Sequence, residues 1–250
     1  MTTPAESPPH AGHAIRVGLL DSGVDAENAH LVHARRRFAL ESGGATDEFP
    51  ALDNPNGHGS AIGRIIAALA PTVQLLDAQV FDARGAAAPA AVASALRWLT
   101  DQGAGLVNMS FGLVEDREIL RQACAQARDS GVVMLASAPA RGPRVFPAAY
   151  PGVISVAADG RCAGHQVSFL GGEPADFGAC PTAPEGHNKS RIPGGGSSYA
   201  VARVTGIAAA WMAGQSAEIG GEELYRYLVS IARYVSKAAA RAYFSLNPPR

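Results

Sequence analysis

The chain has 250 residues, 47% of them hydrophobic and 17% charged, an ordinary globular composition that excludes a disordered polymer and suits one large α/β domain. Lys and Arg number 21 against 22 Asp and Glu, so the basic excess that phosphate contacts demand is missing and general nucleic-acid binding is excluded. Aromatic residues are only 6% while glycine numbers 28, which points to a tight core of small side chains.

Residues 1–14 read as a loose arm. They have neither the basic n-region nor the apolar h-region of a signal peptide, and no apolar stretch in the chain is long enough to span a bilayer. The expectation is a cytoplasmic protein with no membrane contact. Cys124, Cys162 and Cys180 form no C-x-x-C pair and read as reduced thiols, in keeping with that address; Cys124 falls in a predicted helix and reads as core. The run Ile15–Leu20 is a buried parallel strand by composition. Residues 25–56 are polar and predict irregular structure, with a basic cluster at Arg35–Arg37. His30 and His33 within it read as solvated rather than as metal ligands. A helix follows at about 58–70, stopped by Pro71, then a strand at 73–80 and a helix at 89–101 that starts at Pro89 and ends near Gly103.

The alternation continues through strand 105–109, helix 116–129, strand 132–136 and strand 153–157. Residues 159–196 are rich in Gly and Pro and predict loops with short strand pieces, and helices are expected at 198–213 and 221–236. Strands alternating with helices imply right-handed crossovers and a mainly parallel sheet covered on both faces, a three-layer α/β/α architecture. One domain is expected at 15–236, with a tail at 237–250. From Leu224 to Arg250 the chain has no acidic residue but carries Arg226, Arg233, Lys237, Arg241 and Arg250, which reads as a helix end complementing its dipole and a solvated tail.

Three short segments carry chemistry. Asp21 stands at the carboxyl end of the first strand, where α/β sheets collect reactive groups. His58, in Asn56-Gly57-His58-Gly59-Ser60, stands where a loop becomes a helix, between glycines that permit close backbone approach. Ser198 follows Gly194-Gly195-Gly196-Ser197 in the first turn of an apolar helix. A glycine-rich turn before a helix could also cradle phosphate, but the lysine of a P-loop is missing. Taken together, a serine hydroxyl requires a neutral imidazole to accept its proton, and the imidazole requires a carboxylate to hold its tautomer. A helix N-terminus adds N–H donors for a developing oxyanion.

The order Asp21, His58, Ser198 and the sequences around each residue resemble the subtilase family. Val17–Asp25 resembles its Asp motif, Gly57-His58-Gly59-Ser60 its His motif, and Gly196-Ser197-Ser198-Tyr199-Ala200 its Ser motif, with the nucleophile aligned on Ser198. Val107–Gly112 resembles the segment that pairs with substrate backbone as an added strand, and Phe146–Ile154 resembles a connection of the family. The resemblance implies a subtilisin-like fold and a serine endopeptidase without a cofactor. Ser198 would be the nucleophile, His58 the base and Asp21 its orienter, and the Ser198 N–H would be an oxyanion donor. It also implies a substrate platform at Ser110, Phe111 and Gly112. Ala136, Ser137 and Ala138 would lie near the pocket for the residue before the scissile bond, and their small size implies an open pocket.

Four departures qualify that picture. The usual oxyanion asparagine aligns on Ala140, with Arg141 or Ser137 as alternative donors. Removing that asparagine in subtilisin costs about 10²–10³ in kcat. The proline usual after the Ser motif is Ala202. The connection Pro71-Thr72 is too short for the family's tight calcium loop, so no metal is expected. Finally, only about 14 residues precede the first strand, which implies that neither a signal nor a pro-segment is present. Arg141 and Arg144 would favour an acidic stretch of substrate. Within the family this trimmed form resembles the intracellular subtilase that removes a leader peptide during quinohemoprotein amine dehydrogenase maturation, so the implied partner is a peptide or protein substrate such as a small leader-bearing subunit. A non-catalytic peptide-binding or scaffold module on the same fold is the alternative.

Overall fold

The structure is a computed structural model and describes residues 14–41, 46–53, 57–172, 175–184, 196–217, 219–236 and 239–240. Most of the expected N-terminal arm and C-terminal tail, including Lys237, Arg241 and Arg250, lies outside those residues, as do Gly194 and Gly195. The strands are β1 (Arg16–Asp21), β2 (Val32–Leu40), β3 (Thr46–Phe49), β4 (Gln74–Gln79), β5 (Leu106–Met109), β6 (Val133–Ser137), β7 (Val153–Ala158), β8 (Val167–Phe169), β9 (Phe177–Ala179) and β10 (Tyr234–Val235). The helices are α1 (His58–Leu69), α2 (Pro89–Asp101), α3 (Glu118–Asp129), α4 (Gly196–Ala213) and α5 (Gly221–Ser230). One sheet contains all ten strands in the order β10-β8-β9-β7-β6-β5-β1-β4-β2-β3. Its pairs are parallel except β2–β3 and β8–β9.

Side-chain alternation along the strands divides the core into two layers. Val17 and Leu19 of β1, Leu75 of β4, Leu106 of β5 and Val133 and Leu135 of β6 join the residues of α1 and α4 on one face. Leu20, Leu76, Val107, Met109 and Met134 join those of α2 and α3 on the other. The period of two therefore assigns Asp21, next in step after Val17 and Leu19, to the face that carries α1 and α4. These are the helices whose first turns carry His58 and the Ser197-Ser198 pair. Close packing between them runs through Gly206, where a Cβ would stand 2.8 Å from Leu69 Cβ.

Two expectations require correction. Residues 25–56 are not wholly irregular: β2 and β3 form a hairpin on the sheet edge. Arg36 and Arg37 are accommodated there because one faces Glu48 across the pair and the other stacks on Phe49 at 4.5 Å. The helix expected at 221–236 ends at Ser230. Ser230 Oγ donates to the Tyr227 carbonyl, and the aromatic and β-branched pair Tyr234–Val235 extends β8 in parallel. Cys124 is core, its thiol pushed up to about 12 by burial, and all three cysteines are free. No helix among the described residues is long and apolar enough to cross a membrane.

Candidate active site

Asp21 ends β1 fully inside the protein. Its Oδ1 accepts hydrogen bonds from the backbone N–H of Ser22 at 2.7 Å and from Ser22 Oγ at 3.1 Å. The same oxygen lies 2.7 Å from His58 Nδ1. The other oxygen, Oδ2, is buried with no hydrogen-bond partner among the described residues. His58 can come this close because α1 enters beside the turn after Asp21: Gly57 adopts φ 66° before the helix, and a Cβ on Gly59 would stand 2.4 Å from the Gly23 carbonyl oxygen. No L side chain fits that approach. Ser22 Oγ also accepts the Gly59 N–H at 3.3 Å, so one serine links the Asp and His segments.

Burial is the largest influence on His58 and lowers its proton affinity, but the Asp21 charge and hydrogen bond together outweigh it, leaving the imidazole above its ordinary pKa. A base must be neutral to accept a proton. The acid limb of any His58-dependent rate is therefore expected above the ordinary histidine value of about 6.5. A pH profile of kcat/KM with its acid midpoint at or below that value would contradict this. The same raised pKa stabilises the fold most below the ordinary value, and the contribution is lost as pH rises through the raised one.

Ser198 is the third residue of α4, at the positive end of the helix. Its Oγ donates to the Ser110 carbonyl at 3.1 Å; among the described residues it makes no hydrogen bond to His58, whose ring lies 6.0 Å from that of Tyr199. The neighbouring Ser197 has a different task, its Oγ accepting the Ala158 N–H at 3.3 Å. The structure thus couples Asp21 to His58 directly, and Ser198 to the end of β5.

A buried polar chain behind Ser198 escaped the sequence reading. Thr205 Oγ1 donates to Asn108 Oδ1 at 3.0 Å, and Asn108 Nδ2 donates to Ser110 Oγ at 2.8 Å. The available signal was the spacing of Ser198 and Thr205, seven residues or about two helical turns apart on one face. Beyond Ser110, the backbone groups of Phe111 and Gly112 make no hydrogen bond among the described residues, and pairing resumes only at Leu113 with Phe146. Phe81 packs edge-on against Phe111 at 5.5 Å.

Ala136 and Ala138 lie on the α2–α3 side of β6, whereas Ser137 follows Val133 and Leu135 in step toward α4. Ser137 Oγ is buried without a hydrogen-bond partner among the described residues. Ala140 and Arg141 are exposed on the loop after β6, and Ala140 has no side-chain donor to offer. The openness expected beside Ala138 is limited by Val145. A Cβ on Gly112 would lie 2.7 Å from Val145 Cγ2, and Val145 also lines, with Ala138, Pro139, Arg144 and Asp176, a cavity of about 220 Å³. Asp25 accepts the Asn28 N–H at 3.0 Å and so orders its own turn.

Residues 12–244 match the model of the subtilase family. The chain belongs to the subtilase family. Alkaline elastase YaB of Bacillus sp. (strain YaB) is 30% identical over 222 residues, which are 82% of this chain and 56% of that one. Subtilisin DY of Bacillus licheniformis is 30% identical over 165 residues, 60% of this chain and 58% of that one. The chain therefore spans a little over half the length of these subtilase relatives. Among solved structures, fervidolysin from Fervidobacterium pennivorans, a keratinolytic enzyme related to subtilisin, superposes with a TM-score of 0.58 at 27% identity, over 80% of this chain and 36% of that one. A lanthipeptide protease superposes with a TM-score of 0.64 over 95% of this chain and 89% of that one, a likeness of fold at 19% identity.

Proposed function

We propose that this subtilase is a serine endopeptidase in which Ser198 attacks the scissile carbonyl. His58 takes the serine proton and returns it to the leaving amine, and Asp21 holds the imidazole. The observation that carries the reading is the 2.7 Å contact between Asp21 Oδ1 and His58 Nδ1 at the helix facing α4. An anion at Nδ1 favours the tautomer that leaves Nε2 free to accept a proton. Attack would form an acyl-enzyme and release the C-terminal fragment, and water would then release the N-terminal one. The Ser198 hydroxyl would rotate from the Ser110 carbonyl toward Nε2 when substrate arrives, since catalytic hydrogen bonds often tighten only in the complex. The backbone of Phe111 and Gly112, which makes no hydrogen bond among the described residues, would bind the substrate as an added strand.

The narrower reading is a processing protease that removes a leader peptide inside the cell, with a small leader-bearing subunit as substrate. Ala140 in the position of the usual oxyanion asparagine supports a slow, dedicated enzyme, the three free cysteines agree with a reducing compartment, and the solved lanthipeptide protease is a fold relative of nearly the same extent. Val145, set against Gly112 and Ala138, supports a small residue before the scissile bond. Val145→Gly is expected to move preference there from Ala toward Leu or Phe by on the order of 10–10² in kcat/KM. An unchanged ratio in a peptide-library digest would remove Val145 from the pocket. The opposing reading, a peptide-binding scaffold, draws on the Ser198 hydroxyl being bonded to Ser110 instead of His58. Labelling by a fluorophosphonate, which reports an activated serine, decides between them.

A further inference from the structure

Asp21 begins a turn in which four backbone groups are held by side chains of other elements. Gln79 Nε2 of β4 donates to the Ser22 carbonyl at 2.8 Å, and Ser60 Oγ of α1 accepts the Asp25 N–H at 2.9 Å. Between them, Val24 is held at both of its polar groups: Asp77 Oδ2 of β4 accepts its N–H at 2.9 Å, and Arg35 Nη2 of β2 donates to its carbonyl at 2.8 Å. Asp77 is fully buried. Strand register places it directly beside Leu19 of β1 on one side and Arg35 of β2 on the other. Arg35 Nε lies 3.8 Å from Asp77 Oδ2, closer to an ion pair than to a hydrogen bond, and Asp77 Oδ1 has no hydrogen-bond partner among the described residues.

We propose that Asp77 and Arg35 form a charged clamp that positions the Asp21 carboxylate by fixing both peptide groups of Val24 from two neighbouring strands. Neither residue belongs to the Asp, His or Ser segments. A buried carboxylate is costly unless paired, and a neutral residue could have accepted one N–H here, so the ionised pair calls for a role beyond filling space. Burial, with a smaller push from the Asp21 charge, outweighs the lowering by the Val24 N–H and Arg35 and leaves the Asp77 carboxyl pushed up to about 6. The two carboxylates are thus electrostatically linked, and by reciprocity the state of Asp77 acts on Asp21. The charged groups around Asp77 are Asp21 on β1 and Arg35 on β2. On α1, packed over the same face, the titratable residues are His58 and Arg64, and Arg64 acts on Asp25. Below about pH 6 Asp77 takes up a proton, its pairing with Arg35 lapses and the clamp loosens.

The consequence for rate rests on the endopeptidase reading; the clamp itself does not, so two readouts are required. In ¹⁵N–¹H spectra of the full chain, the Val24 amide is expected to titrate with a midpoint near that of Asp77, and Asp77→Asn, which keeps an acceptor but removes the charge, should abolish that titration and shift the His58 Nδ1–H resonance. In fluorophosphonate labelling, Asp77→Asn and Arg35→Gln should each slow Ser198 by on the order of 10-fold. The double variant should be no slower than the slower single one, because both remove one device. The acid limb should also change from a slope above one proton to a slope of one in Asp77→Asn. A Val24 amide that does not titrate, or an Asp77→Asn protein with unchanged rate and slope, overturns the proposal. Wild-type protein that never labels removes the endopeptidase reading and leaves the Val24 and His58 resonances to decide the clamp. Should Asp77→Asn fail to fold, Arg35→Lys decides: it keeps the charge without the reach to Val24 and Asp77 together, and full-rate labelling with an unshifted Val24 amide would sink the clamp.

Discussion

Ser198→Ala is expected to give a folded protein that takes up no fluorophosphonate and cuts no peptide. In subtilisin, a member of the same family, loss of the nucleophile or of the base costs about 10⁶ in kcat, and a loss of that order is expected here. The substitution removes one hydrogen bond, Oγ to the Ser110 carbonyl at 3.1 Å, from a half-buried position, so stability should fall by no more than about 1 kcal/mol. The informative control is the adjacent hydroxyl. Ser197 Oγ accepts the Ala158 N–H and ties α4 to β7, so Ser197→Ala should lower thermal stability and leave the adduct in place. Intact-mass spectrometry of the labelled protein reads both variants. An adduct that persists in Ser198→Ala would move the nucleophile elsewhere. No adduct in wild-type protein, with peptide binding intact, would make this subtilase a binding scaffold.

His58→Ala extends the same argument. With the imidazole gone the proposed acceptor of the Ser198 proton is lost, and the effect should approach that of Ser198→Ala without adding to it, because the residues act as a unit. Asp21 differs: removing it leaves the Ser22 N–H, Ser22 Oγ and His58 Nδ1 without their acceptor, so part of any loss would be structural.

The three segments at Asp21, His58 and Ser198 could be read from sequence because each is local. A strand end, a glycine-flanked helix start and a small-residue helix start carry their signals within about five residues. The period of two along Val17, Leu19 and Asp21 even fixes the face, once α1 and α4 are known to cover it. Asp77 and Arg35 could not be found this way. They are 42 positions apart and meet only through the register of β2 with β4, and in sequence each is one charge in an unremarkable strand. Arg35 stands in the basic cluster of a segment that reads as irregular. The hairpin of β2 and β3 was missed for the same reason: arginines at successive positions conceal the alternation that cross-strand Glu48 and Phe49 restore. Val145 shows the converse failure, since the small residues at 136–138 suggested space that a side chain from a separate loop partly fills.

The proposed absence of the usual oxyanion asparagine yields the second large expectation. Ala140 follows Pro139 on the exposed loop after β6, and a methyl group cannot donate. One N–H donor, from Ser198 itself, would face the developing charge where the family ordinarily places two. A donor aimed at the oxyanion acts in the transition state and hardly at all in the bound substrate, so installing one should raise kcat and leave KM nearly unchanged. Ala140→Asn is therefore expected to raise kcat by about 10–10³, the upper end being the cost of deleting the asparagine in subtilisin. The loop is exposed and Ala140 is not packed in the core, so the substitution carries little risk to the fold. A rate that stays flat would mean the second donor is already present. The Ser137 hydroxyl, buried on the α4 side of β6 without a hydrogen-bond partner among the described residues, is then the group to remove. Ser137→Ala would in that case lower kcat by about 10² with KM unmoved, whereas an Ala140→Asn gain predicts that Ser137→Ala is close to silent. The two substitutions have opposite expected outcomes, so one set of single-turnover measurements on both variants identifies where the oxyanion is held.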